Sequence, residues 1–211
     1  MLGSDLLRYK KINAVLVDYE TESLNCISAR PWQASWLVIE NNEIVEKNDY
    51  FPWWDNLSIS TKAAQVTRFD FEHYKSKSVP AELVLSKIEK YLYDPKYLFV
   101  GYNNLGYDCM IHQVFRRQFG KEPDYSFIPR TLDVLCLARS LKLNIPYDPK
   151  RSLLAWQFSL LTQYSRKIKC SLGQLCKDFK IPAEEGQLHD GIFDCLRTWD
   201  VFKELIKVVN I

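Results

Sequence analysis

The feature that most constrains the fold is an apolar run over residues 12–19, whose aliphatic side chains occupy both alternating faces. A strand that is apolar on both faces must be covered on both sides, so the run predicts a central strand. Asp18 and Glu20 stand at its end, and side chains at i and i+2 point to the same face. Burying two like charges together is costly unless a cation lies between them. The pair is a candidate metal site, although an isolated Asp-x-Glu is more often a surface feature or a helix cap.

Composition excludes several classes of protein. The 211 residues are 47% hydrophobic, enough for a sizeable core, which argues against disorder. The formal net charge of +2 excludes a strongly basic nucleic-acid binder, so any contact with nucleic acid needs local clustering of charge. Six cysteines without a Cys-x-x-Cys pair suit free thiols in a reducing compartment. Without a leader-like start or a membrane-spanning apolar segment, we expect a soluble, cytoplasmic protein of undetermined oligomeric state.

Periodicity predicts an α/β fold. We predict strands over 12–19, 33–40, 43–51 and 97–102, with a hairpin at Asn41-Asn42, and helices over 80–93, 107–119, 171–179 and 190–208. Residues 131–141 fit either a strand or a helix, and 142–170 have no clear pattern. The order predicts a mixed sheet, with a three-stranded antiparallel meander and parallel strands, flanked by helices. We expect a single domain over residues 1–211, with its core over about 12–208.

Acidic residues also follow two later elements. Asp108 lies beyond the strand at 97–102, near the first turn of a predicted helix, and Asp194 lies near the start of the last helix. His189 precedes that helix by a short step. Taken alone, Asp108 suits a helix N-terminus and His189 suits a hydrogen-bonded loop histidine. Their order along the chain, after Asp18 and Glu20, favours one shared site.

These residues carry a resemblance to the DEDDh branch of the DnaQ-like 3′–5′ exonucleases, in the RNase H-like superfamily. Residues 18–24 (Asp-Tyr-Glu-Thr-Glu-Ser-Leu) resemble the first family motif, and residues 104–108 (Asn-Leu-Gly-Tyr-Asp) resemble the second. Residues 189–194 (His-Asp-Gly-Ile-Phe-Asp) resemble the third, with Gly191 where the family commonly has Ala. Residues 130–139 are similar to an intermediate family segment, so the likeness spans residues 14–203.

The resemblance implies an RNase H-like fold and a two-metal phosphodiesterase that removes nucleoside 5′-monophosphates from the 3′ end of single-stranded or frayed nucleic acid, DNA favoured over RNA. It implies two divalent cations, Mg²⁺ or Mn²⁺, because both prefer hard carboxylate oxygens. The implied metal ligands are Asp18, Glu20, Asp108 and Asp194. His189 would be the general base that takes a proton from the attacking water. The implied substrate contacts are Thr21, Leu24, Tyr102 and Asn104, with core packing an equal alternative for Leu24 and Tyr102.

Several alternatives stay open at this level. Metal ligation does not separate DNA from RNA, so an exoribonuclease or RNA-trimming enzyme is the runner-up. An aspartyl-phosphate phosphatase with Asp18 as nucleophile would want a second Asp where Glu20 stands. A non-catalytic nucleic-acid-binding or scaffold module is the third class. The aromatic cluster from Tyr50 to Trp54 could stack on single strands, but core packing or a protein partner is favoured.

Overall fold

A computed structural model describes residue 7 and residues 10–163, 168–182 and 190–211. It contains a six-stranded mixed sheet in the order β4-β3-β2-β1-β5-β6. The strands are β1 (Ala14–Thr21), β2 (Pro31–Glu40), β3 (Glu43–Trp53), β4 (Ser78–Pro80), β5 (Leu98–Gly101) and β6 (Thr131–Asp133). The pairs β1/β2 and β2/β3 are antiparallel, whereas β3/β4, β1/β5 and β5/β6 are parallel. The predicted α/β class, with a meander and parallel strands, is confirmed.

Helices cover both faces of the sheet. Among the described residues they are α1 (Thr61–Thr67), α2 (Phe71–Lys77), α3 (Ala81–Leu92), α4 (Asp108–Arg117), α5 (Val134–Leu143), α6 (Leu153–Leu161), α7 (Leu172–Asp178) and α8 (Gly191–Val208). Within these described parts, no helix combines the length and the apolar character needed to cross a membrane.

The central strand β1 contributes side chains to two hydrophobic clusters, one on each face of the sheet, as expected for a strand that is apolar on both faces. Ala14 and Leu16 pack into a cluster with residues of α5, α6, α7 and α8. Val15, Val17 and Tyr19 pack into a second cluster with residues of α3 and α4. Alternate side chains of a strand point to opposite faces, so Asp18 and Glu20 continue the face of Leu16, which α8 covers. Strand polarity thus aims both carboxylates at the helix that carries Asp194.

The sequence predicted most element boundaries closely. The helices predicted over 80–93, 107–119, 171–179 and 190–208 are found as α3, α4, α7 and α8. Strand β1 extends two residues beyond its predicted end and therefore includes Glu20. Asn41 and Asn42 have φ values of 53° and 73°, the positive values that a tight hairpin turn requires.

Pattern reasoning missed several short elements. Residues 131–141, which were ambiguous, contain both β6 and the start of α5. Helix α6 lies in the segment that had no clear pattern, because it is apolar around most of its circumference. Helices α1 and α2 have seven residues each, too short for a helical period to stand out. Whether residues 61–77 form helices therefore depends on tertiary packing near strand β3, not on local sequence pattern.

The aromatic cluster at 50–54 packs mainly on the chain itself. Tyr50 stacks on Trp36 with ring centroids 5.1 Å apart, and Phe51 is buried beside Trp32. The Trp54 indole N–H donates to the Pro31 carbonyl at 2.6 Å. Only the Trp53 ring, 37% exposed, faces outward among these residues. The geometry supports core packing over a continuous stacking platform.

Candidate metal and nucleotide site

Four carboxylates from three elements line one cavity of about 650 Å³. Asp18 and Glu20 come from the end of β1, Asp108 from the first turn of α4, and Asp194 from the first turn of α8. Asp190 caps the N-terminus of α8, and its side chain accepts from the Phe193 amide at 3.3 Å. The structure therefore brings together the four acidic residues that the sequence proposed as ligands.

The electrostatics of this cluster are one-sided. Burial and the negative charges of Asp194 and Asp190 raise the pKa of Asp18 to about 7. Burial and the charges of Asp18 and Asp194 raise the pKa of Glu20 to about 9. Burial, with the charge of Asp18, also holds the pKa of Asp108 well above its usual range. The neighbouring charges that raise these three pKa values are all acidic, which is the state that a bound cation relieves.

The donor set suits hard divalent cations. Carboxylate oxygens are the ligands that Mg²⁺ and Mn²⁺ prefer. Across residues 10–163, 168–182 and 190–211, however, no three His, Cys, Asp or Glu side chains are arranged closely enough to enclose an ion. The shared cavity and the mutual effects on pKa nevertheless show that the carboxylates are neighbours. Their oxygen donors fit divalent cations in chemistry, and all four side chains line the same cavity.

Asp108 is held in place by the two elements beside it. Its Oδ1 accepts from the backbone amide of Tyr19 at 3.1 Å, which ties the start of α4 to β1 between the two β1 carboxylates. The turn before α4 is held by Asp133, whose carboxylate accepts from the amides of Asn103 at 3.0 Å and Leu105 at 3.1 Å. Asp133 is fully buried, and burial raises its pKa to about 6 despite these hydrogen bonds. Sequence reasoning did not assign this role, although Asp133 stands in the segment 130–139.

A buried polar chain lies behind the carboxylates. The Tyr19 hydroxyl lies 2.9 Å from His112 Nδ1, and the Tyr93 hydroxyl lies 3.3 Å from His112 Nε2. Burial, helped by the charge of Arg116, lowers the pKa of His112 to about 3, so the imidazole is neutral. A neutral imidazole has one donor and one acceptor nitrogen, which suits two hydroxyl partners. The chain fixes the Tyr19 side chain and, through it, the strand end that carries the carboxylates.

Gly191 leaves room that the first turn of α8 needs. A Cβ at this position would lie 2.4 Å from Ser35 Oγ and 3.3 Å from Asp18 Oδ2. Ser35 stands opposite Asp18 in the β1/β2 pairing and donates to Asp49 Oδ1 at 2.7 Å. The resembled family commonly has Ala where this chain has Gly191. Here the Ser35 side chain occupies the space that an alanine Cβ would need.

The predicted substrate residues have different environments. Leu24 is 76% exposed and lines the carboxylate cavity, so core packing is wrong for this residue. Thr21 is buried, and its hydroxyl donates to the Ser23 carbonyl at 2.7 Å and contacts the Tyr107 hydroxyl. Tyr102 lines the cavity, and its hydroxyl donates to the Cys170 carbonyl at 2.6 Å.

Asn104, a predicted substrate contact, is not among the residues that line the cavity. Its side chain is completely buried, and Oδ1 accepts from the Leu105 amide at 3.0 Å. Asn103, which has a positive φ of 58°, lines the cavity instead. Asn104 therefore stabilises the turn, and Asn103 is the asparagine that can meet a ligand. A sequence motif gives the spacing of such a turn, but the φ value of a single residue decides which side chain points outward.

Helix α7 supplies a wall of the cavity that sequence reasoning missed. Ser171, Gln174 and Lys177 all line it. The signal was present, because a spacing of three residues repeats one helix face and Ser171 caps α7 by accepting from the Gln174 amide at 3.3 Å. His189, the predicted general base, lies outside the described residues.

A second, smaller cavity of about 360 Å³ adjoins the first across Leu24. Tyr19, Glu20, Leu24 and Tyr107 line both cavities. The far wall of the second cavity is formed by Ser60 and by residues of α1, namely Lys62, Ala63, Val66 and Thr67. Its lining is almost entirely apolar, whereas the carboxylate cavity has a larger polar share. The exposed side chain of Leu24 is among the residues that separate the two cavities.

Comparison with known proteins places the fold. No family model matches the chain, and no curated protein matches it. Among solved structures, the zinc-bound form of an E. coli exonuclease I complex with single-stranded DNA superposes with a TM-score of 0.72 at 18% identity, covering 94% of this chain and 41% of the other. The complex of E. coli exonuclease I with a dT13 oligonucleotide gives a TM-score of 0.72 at 18% identity, covering 93% and 41%. A complex of exonuclease I with the SSB C-terminal peptide gives a TM-score of 0.68 at 18% identity, covering 94% and 41%.

Over the matched part, the chain has the same fold as exonuclease I. This likeness confirms the predicted α/β fold, a mixed sheet flanked by helices. The chain spans about two-fifths of the length of the exonuclease I chains that it matches. At 18% identity the likeness to exonuclease I concerns the fold, so activity has to be argued from this chain's own residues.

Proposed function

We propose that the chain is a metal-dependent 3′–5′ exonuclease that acts on single-stranded DNA. The observation that carries the proposal is the cavity lined by Asp18, Glu20, Asp108 and Asp194. Solved structures of the same fold are complexes of exonuclease I with single-stranded DNA or with an oligonucleotide. One of them is a zinc-bound form, which also supports a divalent cation at such a site. A buried acidic cluster beside an exposed leucine suits a phosphodiester chain that ends at the cavity.

The carboxylates would hold two divalent cations, with Asp18 shared between them. Such cations activate a water molecule and stabilise the leaving 3′-oxygen of a phosphodiester. Asp18 and Glu20 lie on the same face of β1 and line the cavity together with Asp108. The Tyr19 amide donates to Asp108 Oδ1 at 3.1 Å and holds Asp108 beside them. Because ligands must be deprotonated, their raised pKa values link cation binding to the release of protons.

His189 is the proposed general base. The proposal rests on its place in the third motif, five residues before Asp194. An imidazole with a pKa near neutrality is suited to accept the proton of the attacking water. His112, a buried histidine among the described residues, is occupied by Tyr19 and Tyr93 and does not line the cavity.

Leu24 and the cavities on its two sides would bind the 3′-terminal nucleotide. The apolar compartment suits a base, and the carboxylate cavity suits the scissile phosphate with its cations. Thr21, Tyr102 and Asn103 would contact the sugar and phosphate.

A protein partner is also part of the proposal. A structure of the same fold is a complex of exonuclease I with a protein peptide, which supports such a partner. We place the contact at Trp53, the exposed residue of the 50–54 cluster.

A single assay tests the proposal. The purified chain is incubated with Mg²⁺ and 5′-labelled single-stranded DNA, duplex DNA and RNA in parallel, with EDTA and Asp18→Asn as controls. We expect a descending ladder on single-stranded DNA that both controls abolish. A ladder on RNA alone would establish the exoribonuclease instead. Binding of DNA by gel shift without any ladder would establish the non-catalytic module.

A further inference from the structure

The two walls of the apolar cavity come from distant parts of the sequence. One wall contains Thr21, Ser23 and Leu24, in the segment from the last residue of β1 to Leu24, and the other is Ser60 with helix α1. The width of this cavity depends on how these two segments are held together. Glu22 belongs to the first segment, is 8% exposed, and accepts a hydrogen bond from Ser58 beside the second.

Glu22 bonds directly to the segment that leads into α1. Its Oε1 accepts from the Ser58 amide at 2.9 Å, and its backbone carbonyl accepts from the Ser60 amide at 2.9 Å. Ser60 in turn caps α1, because its Oγ accepts from the Ala63 amide at 3.2 Å. One residue next to the proposed substrate segment therefore sets the position of the helix N-terminus across the cavity.

Arg30 completes the connection. Its backbone amide and its Nε both donate to Glu22 Oε2 at 3.0 Å, and Nη2 donates to Oε1. The same Nη2 donates to the carbonyl of Asn56, and the guanidinium lies 5.3 Å from the centre of the Trp54 ring. The ion pair closes the loop that displays Leu24 and fastens it to residues 54–60 at the same time.

We propose that the Glu22–Arg30 ion pair positions the 3′-terminal nucleotide by fixing Leu24 relative to α1. This inference rests on the proposed exonuclease function. Glu22 and Arg30 are positioning residues, since neither lines the cavity. The four carboxylates are held by β1, α4 and α8, which do not depend on this pair, so binding of the strand end is affected and the chemical step is spared.

The test compares Glu22→Gln, Arg30→Lys and Glu89→Gln by steady-state kinetics on single-stranded DNA. Glu89→Gln is the matched control, because Glu89 is 14% exposed, pairs with Arg116 and Lys121, and lies away from both cavities. We expect Glu22→Gln to raise KM about tenfold, which corresponds to the loss of one charge-assisted hydrogen bond, with kcat nearly unchanged. Arg30→Lys, which keeps the charge, should give a smaller rise, and Glu89→Gln should lower Tm without changing KM.

A double-mutant cycle identifies the route of the effect. If the ion pair acts through Leu24, adding Glu22→Gln to Leu24→Ala should change KM much less than it does in the wild type. Full additivity of the two changes in KM would overturn the proposal. So would a fall in kcat with KM unchanged, since that result places the effect at the chemical step.

A readout independent of activity separates this inference from the proposed function. Hydrogen exchange of the Ser58 amide, which donates to the Glu22 carboxylate, should speed up in Glu22→Gln. Exchange of the Ser60 amide, which donates to the Glu22 backbone carbonyl, should speed up with it, because the segment from residue 54 to residue 60 is then no longer held by the ion pair. Amides in β1 and α8 should exchange as in the wild type. If these two amides keep their protection, the positioning role is refuted even if the enzyme cleaves DNA. If they lose it and wild type leaves DNA intact, the proposed function alone fails.

Discussion

Glu20 and Glu22 are the same residue type, two positions apart at the end of one strand, yet their environments are opposite. Burial and the charges of Asp18 and Asp194 raise the pKa of Glu20 to about 9. Burial would also raise the pKa of Glu22, but hydrogen bonds from Arg30 and from the Ser58 amide outweigh it and lower that pKa. Glu22 is paired with the guanidinium of Arg30, whereas the charged groups that act on Glu20 are all carboxylates.

The contrast between Glu20 and Glu22 distinguishes a carboxylate that stabilises the fold from one that is available to a ligand. The desolvation cost of a buried carboxylate is offset when the group is paired and hydrogen-bonded, and removing its partner leaves that cost uncompensated. A cluster of like charges is unfavourable in the folded chain, and it is tolerable when an external cation completes it. The Glu22–Arg30 pair thus holds the fold around the site, and the carboxylate cluster is the part left for a ligand. Substitutions in the carboxylate cluster and substitutions at Glu22 should therefore have different effects on cleavage and on stability.

The largest effect is expected at Asp18. Asp18→Asn should reduce cleavage of single-stranded DNA about a thousandfold or more, the scale of removing one member of a catalytic unit. It should also raise the Tm of the cation-free protein, because it removes a charge that raises the pKa of Glu20 and Asp108. Asp200→Asn on α8 is the control: Asp200 pairs with Arg197 and Lys203, and cleavage should persist. Unchanged cleavage by Asp18→Asn would remove Asp18 from the site.

The next effect tests how tightly the acidic side is packed. Gly191→Ala places a Cβ 2.4 Å from Ser35 Oγ and 3.3 Å from Asp18 Oδ2. We expect the free energy of unfolding to fall by about 1–3 kcal/mol, as in other overpacked sites, with a parallel loss of cleavage. Ser35→Ala in the same chain should recover part of the loss, as measured by thermal melting. A fully stable Gly191→Ala protein would show that α8 shifts freely away from β2.

A smaller effect is expected from pH in the absence of cations. Above the ordinary carboxylate pKa of about 4, the folded state keeps protons on Asp18 and Glu20 that the unfolded state releases. The free energy of unfolding should therefore fall as pH rises from 5 to 9. Millimolar Mg²⁺ should restore Tm most at the alkaline end, where the ligands are charged. Melting curves at four pH values check this, and a flat profile that Mg²⁺ leaves unchanged would contradict the account.

The smallest effect belongs to Glu22 and has the opposite sign. Its lowered pKa means that the folded state binds the proton less tightly than the unfolded state, so its contribution to stability is present at neutral pH and is lost as pH falls through the lowered pKa. The Tm difference between wild type and Glu22→Gln should be greatest at pH 6 and should shrink toward pH 3. A difference that grows on acidification would mean that Glu22 is not paired as described.

Much of the fold could be predicted from local patterns. The doubly apolar run of β1, the Asn41-Asn42 turn and the helices α3, α4, α7 and α8 follow from side-chain period and capping chemistry. Helices α1 and α2 and the three-residue strand β4 could not be predicted, since each is too short to show a period. They exist because β3 and the neighbouring aromatic rings give them a surface to pack on.

The candidate site divides in the same way. By itself, the sequence determined which carboxylates share a face and which strand and helix ends carry them, because alternation and helix starts are local properties of the chain. Only the tertiary structure decided that Asn103 and not Asn104 faces the cavity, that Ser35 fills the space beside Gly191, and that Glu22 is paired with Arg30. Those outcomes depend on single backbone angles and on contacts between segments far apart in sequence, which no local pattern encodes.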